Sequence, residues 1–128
     1  MNKDRGTLRT YHSQEGCPVA RTLNVVGERW TILILRDLVT GRSGKYQDLL
    51  RSLRGIAPSL LAKRLKHLEA QGVLQRFFYS EHPPRAEYRL TTKGRELGPL
   101  VRAMADWGSK YKLDGETALA RPARRRGL

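Results

Sequence analysis

Lys63 and Lys66 stand with Ser59 and Ala62 at spacings of three and four in the segment that begins at Pro58. On a helix that advances about 100° per residue these four share one side. Leu61, Leu65 and Leu68 share the opposite side. The pattern is an apolar underside with a small, basic top. Two ammonium groups so placed can meet the phosphates or base edges of a duplex, and the short Ala62 can touch a thymine methyl. The bland alternative for both lysines is a solvated face. His67 lies on the shoulder of this surface, between contact and mere exposure. Arg64 lies on the flank of the leucine side, where a structural ion pair suits it better than base contact. A second basic group brackets two prolines: His82 and Arg85 flank Pro83-Pro84, and Arg85 is placed to reach a backbone or a minor groove.

These groups need elements that hold them. Pro58 suits the first turn of a helix, where its missing N–H has no partner to lose. Gln71-Gly72 stops the helix, because glycine most readily takes the left-handed conformation after a last turn. The period then changes. Leu74 to Glu81, rich in Phe77, Phe78 and Tyr79, and Arg85 to Leu90 read as two strands joined by a stiff turn at His82-Pro83-Pro84. Upstream, Cys17-Pro18 opens a helix with Val19, Leu23 and Val26 on one face, closing near Gly27. A second helix, about Arg29 to Val39, is apolar nearly all round and is expected at the centre. After a turn at Gly41–Gly44 comes a short helix carrying Tyr46, Leu49, Leu50 and Leu53. Downstream, Thr91-Thr92 is expected to start one long helix from about Lys93 to Leu113. Its stripe of Leu97, Leu100, Val101, Met104, Trp107 and Tyr111 exceeds the needs of a small core, so part of it should face another chain.

Composition narrows the partners. The 128 residues suit one domain. We read 1–16 as a mobile lead, 17–113 as the domain, and 114–128 as a basic disordered tail. Net charge is +13, and residues 17–113 alone carry 18 basic against 8 acidic side chains. A polyanion is the natural partner of such a field. No apolar run approaches the roughly 18 residues that span a bilayer, and the polar start lacks a secretory h-region. A membrane partner is therefore not expected, and the cytoplasm, in association with the nucleoid, is the expected compartment. The single Cys17 excludes an intrachain disulfide framework. One cysteine and three scattered histidines give no metal-ligand spacing, so no metal and no cofactor are expected. Carboxylates and histidines form no acid–base or nucleophilic constellation, and no glycine-rich phosphate loop follows a strand, which argues against an enzyme.

In this order, several short pieces are specific together. They are Cys17-Pro18, Gly27-Glu28-Arg29-Trp30, Ile34-Leu35-Arg36-Asp37-Leu38, Gly55-Ile56-Ala57-Pro58, Arg64-Leu65, Gly72-Val73-Leu74, Pro83-Pro84-Arg85, Glu87-Tyr88 and Leu90-Thr91 with Gly94. Over residues 17 to about 111 the chain resembles the HxlR-type bacterial winged helix-turn-helix transcriptional regulators, relatives of the MarR type. The resemblance implies a mainly α fold with a small β-hairpin wing. It also implies that the helix at Pro58 enters the major groove, that the wing lies along the backbone or in the minor groove, and that the first and last helices build a homodimer. Val19, Leu23, Leu100, Met104, Trp107 and Tyr111 are the side chains expected at that interface. Two departures stand out. Ala57 occupies a position that is often Ser, a poor helix cap costing about 0.5–2 kcal/mol. Lys45-Tyr46 replaces a frequent Arg-Phe pair after a turn that looks one residue longer than usual, with Lys45 the candidate phosphate contact.

Cys17 is a candidate redox or electrophile sensor, since some members of the family use a cysteine near this position. A helix start with Arg21 one turn on is a setting in which thiols become reactive. A helix-opening Cys-Pro with no sensing role is the alternative. The leading expectation is a homodimeric regulator, more often a repressor than an activator, bound to an inverted repeat in double-stranded DNA. A small-molecule or oxidant effector would modulate it. Two other readings stay open: a sequence-tolerant nucleoid-associated or RNA-binding protein, and a protein-interaction module working through the last helix.

Overall fold

A computed structural model describes residues 14–112, and the statements that follow concern these. The stretch before residue 14 and the basic tail at 114–128 lie outside the described residues. Helix α1 (Pro18–Val26) begins where the Cys17 sulfur accepts the Ala20 N–H at 3.4 Å. It ends at Gly27, whose N–H donates to the Leu23 carbonyl. Helix α2 (Arg29–Val39) is capped by Glu28, one carboxylate oxygen accepting from the N–H groups of Trp30 at 2.8 Å and Thr31 at 3.0 Å. Ile34 and Leu35 are fully buried, and α2 packs against α1, the helices Pro58–Ala70 and Gly98–Lys110 and the strand Pro84–Leu90, which makes it the central helix. Its Asp37 is buried and neutralised on one oxygen by Arg36 at 2.9 Å and Arg42 at 3.4 Å.

Helix α3 (Tyr46–Ser52) and helix α4 (Pro58–Ala70) follow. Leu49 and Leu53 meet Leu61, Leu65 and Leu68 in one cluster with Ile34, Leu35, Val73 and Leu74. Gly72 takes φ +75°, the left-handed conformation expected at the stop after α4. Strands β1 (Leu74–Glu81) and β2 (Pro84–Leu90) pair antiparallel from Leu74 with Leu90 to Glu81 with Pro84, with an irregularity at Tyr79. A third strand-like piece joins them, because Lys45 bridges Glu87 and the Tyr88 N–H donates to the Gly44 carbonyl at 2.8 Å.

The expected long last helix is corrected. The chain instead forms a short turn, α5 (Thr92–Arg95), and then α6 (Gly98–Lys110). Pro99 is the reason: inside a continuous helix its ring would clash with the carbonyl four residues back, whereas in the first turn of α6 it is tolerated. Thr91 fixes the start of α5, its hydroxyl accepting the Gly94 N–H at 3.0 Å and donating to the Gly72 carbonyl at 2.6 Å. No described helix is long and apolar enough to cross a membrane.

The apolar stripe on α6 divides along its length. Val101 is buried, and Leu97 and Leu100 pack at the core margin. Met104, Trp107 and Tyr111 are exposed. On α1, Val26 is buried while Val19 and Leu23 are exposed.

Candidate nucleic-acid interface

Helix α4 presents its two faces as the spacing predicts. Leu61, Leu65 and Leu68 are fully buried, and Pro58, Ser59, Ala62, Lys63 and Lys66 are exposed. Among the described residues neither lysine has an acidic partner, so both charges remain available to an external anion. Ala57 starts the helix in extended conformation with no side-chain cap, as its methyl requires.

His67 is half-buried at the edge of the lysine face, its Nε2 enclosed and without a partner. Arg64 lies with the leucines at 6% exposure. The ion pair expected of it is absent among the described residues, and its Nε is unpartnered. The one acid of α4, Glu69, turns instead toward the wing and pairs with Arg76 at 3.6 Å.

Two contacts fix the other parts of the surface relative to α4. The Tyr46 hydroxyl donates to the Pro58 carbonyl at 3.1 Å, tying the start of α3 to the start of α4. The Arg76–Glu69 pair ties β1 to the last turn of α4. At the hairpin tip His82 and Arg85 are exposed, and Lys45 stands exposed at the start of α3. Lys45 does not reach out alone: its Nζ lies 4.9 Å from the ring of Tyr79. Arg76 stands 5.2 Å from the Phe78 ring and Arg89 4.4 Å from the Phe77 ring. These cation–aromatic stacks were not foreseen from sequence. Their signal was the run of three aromatic residues in β1, read only as strand-forming.

Two helices linked by a short turn, the second backed by leucines and followed by a hairpin pinned to its end, define a winged helix-turn-helix domain. The sequence pattern of the HxlR-like helix-turn-helix family matches residues 25–116. The chain is 39% identical over 98 residues to YdeP of Bacillus subtilis, described as an uncharacterized HTH-type transcriptional regulator. That match spans 77% of this chain and 76% of YdeP. Among solved structures, a MarR-family transcriptional regulator from Porphyromonas gingivalis W83 superposes with a TM-score of 0.71 at 33% identity. It covers 81% of this chain and all of the other. The redox regulator HypR in its reduced form superposes with a TM-score of 0.69 at 33% identity, covering 73% of this chain and 92% of HypR. The chain belongs to the HxlR-like family and is a transcriptional regulator with a helix-turn-helix DNA-binding domain.

Proposed function

We propose that the protein is a homodimeric repressor that binds an inverted repeat in duplex DNA, with α4 in the major groove and the β1–β2 wing on the backbone or in the minor groove. The observation that carries this reading is the exposed Ser59, Ala62, Lys63 and Lys66 surface, free of acidic partners among the described residues and backed by three buried leucines. Arg85 and His82 at the wing tip, and Lys45 at the start of α3, supply the flanking phosphate contacts. Dimerisation uses α1 and α6. Val19 is 68% and Trp107 67% exposed in the single chain, which leaves large apolar side chains on both helices open to a second chain. Met104, Tyr111 and Leu23 join them, with Leu100 at the margin.

A two-fold axis would set the two α4 helices about 34–36 Å apart, so half-site centres fall roughly 10–11 bp apart or at a multiple. Footprinting on DNA upstream of the protein's own coding sequence tests the reading. A protected, symmetric site is expected. Uniform protection at all sequences would point to charge-driven binding instead and sink it.

Cys17 adds a regulatory reading. HypR is described as a redox regulator, and here the thiol sits half-buried at the start of α1, two residues before exposed Val19. Oxidation there would alter the helix that we place in the dimer. DNA release by oxidant should disappear in Cys17→Ser, and release that persists unchanged removes the thiol from the mechanism.

A further inference from the structure

Arg64 is the one cation of α4 buried with the leucines, at 6% exposure. It enters no ion pair among the described residues, and its enclosed Nε has no hydrogen-bond partner. Three residues on, the enclosed Nε2 of His67 is unpartnered as well. A guanidinium cannot shed its proton to escape burial, and a buried charge without a partner burdens the fold. An apolar side chain at residue 64 would pack there without that burden. The position therefore asks for an anion that the free chain does not supply.

Its place on the helix says where the anion comes from. At about 100° per residue, His67 stands about 40° and Arg64 about 100° round from Lys63, on the side away from Lys66. The three form a basic band that runs from the exposed face over one shoulder of α4, with half-buried Leu60 beside it. Glu69, the one acid of α4, lies on the other shoulder and is held by Arg76 at 3.6 Å. Arg64 packs its stem among apolar neighbours, while its terminal nitrogens are not sealed off as Nε is. When a helix lies in a major groove, its exposed face meets base edges and its shoulders meet the sugar–phosphate strands.

We propose that Arg64 and His67 hold one backbone phosphate of the duplex on the shoulder of α4 away from the wing, an assignment that rests on the reading of α4 given above. Arg64 is the principal donor, its planar fork matching two phosphate oxygens. The site is filled only on DNA. The free protein thus carries an unpaired charge that the complex satisfies, so affinity is gained at the expense of the stability of the free chain.

The test uses the full chain. Without DNA, Arg64→Met and Arg64→Leu should unfold at the same denaturant concentration as the unaltered protein or a higher one. A lower midpoint in both would reveal a structural partner for the guanidinium and overturn the assignment. With DNA, the phosphates of the footprinted site are replaced one at a time by uncharged methylphosphonate. In the unaltered protein one position per half-site should cost about tenfold in affinity through Arg64. Arg64→Met should bind the natural duplex about tenfold more weakly and lose nothing further at that position, whereas Lys63→Ala stays sensitive there. His67→Ala should lose part of the same sensitivity. The salt slope of Arg64→Met should fall by about one per half-site, on unrelated duplex as on the operator, which tests the assignment even if the repressor reading fails. An unchanged slope on both overturns it. If every phosphate that matters to the unaltered protein still matters to Arg64→Met, the assignment fails and the α4 reading stands. If none matters to the unaltered protein, both fail. Inorganic phosphate that raises the unfolding midpoint of the unaltered protein but not of Arg64→Met, with no sensitive DNA phosphate lost, would make a free ion the occupant and likewise overturn the assignment.

Discussion

A lysine that touches a phosphate and one that touches a base fail in different ways when removed, and α4 carries two whose proposed roles can be separated on that ground. Lys63 and Lys66 are exposed and free of acidic partners among the described residues. Lys63→Ala and Lys66→Ala should each weaken operator binding, by about 1–3 kcal/mol if a base edge is lost. Loss of a phosphate contact should lower affinity evenly across sequences and reduce the salt slope by about one. Binding titrations over a range of salt, on the operator and on single-base variants, tell the two apart. An affinity unchanged in both variants would place the reading surface elsewhere. Ala57 offers the opposite experiment. Its backbone is extended as a cap requires, yet no side chain accepts an N–H of the first turn. Ala57→Ser should raise stability in denaturant unfolding without DNA by about 1 kcal/mol. No gain would mean that the first-turn N–H groups are already well satisfied by water.

The elements were legible wherever a local signal and the long-range packing agreed. Pro58 and Gly72 bound α4 in the sequence pattern and in the structure alike, and the change of period after Gly72 marks the hairpin. The long last helix failed because its apolar stripe runs on through Gly98-Pro99, so side-chain periodicity concealed a backbone break. Arg64 failed for a different reason: its flank position suggested an ion pair, but Glu69, the one acid of α4, pairs with Arg76 where the wing folds back, and Arg64 is buried with the leucines instead. Least legible was the third strand, which amounts to one bridge at Lys45 and has no alternation to read. That bridge depends on Gly44. A Cβ there would stand 1.9 Å from the Tyr88 carbonyl oxygen, a backbone atom held in β2. Gly44→Ala should therefore cost about 1–3 kcal/mol in overpacking and free the wing from α3. Unfolding curves measure the first effect, and faster amide exchange at Tyr88 reports the second. A variant with wild-type stability and exchange would show that the turn before α3 can shift without loss.

At the scale of the whole molecule, charge and apolar exposure divide the labour. A net charge of +13 draws the protein to DNA of any sequence, and that attraction alone selects no site. In the proposed dimer, selection requires two α4 helices held at a fixed separation, a task we assign to the exposed apolar side chains of α1 and α6. Trp107 is the side chain to remove. It is 67% exposed, and its ring lies 5.1 Å from that of Tyr111. Since it lies outside the core cluster, Trp107→Glu should leave the fold of the single chain intact while placing two like charges in the proposed dimer interface. Sedimentation should show a monomer with an unchanged circular dichroism spectrum. Operator affinity should fall by at least about a hundredfold, because the second half-site then binds without the effective concentration that linkage supplies. Affinity for unrelated duplex should fall far less, since each chain keeps its own charge. If Trp107→Glu stays dimeric and holds the operator as before, the interface lies on another face and the spacing of the two reading helices must be derived again from that face.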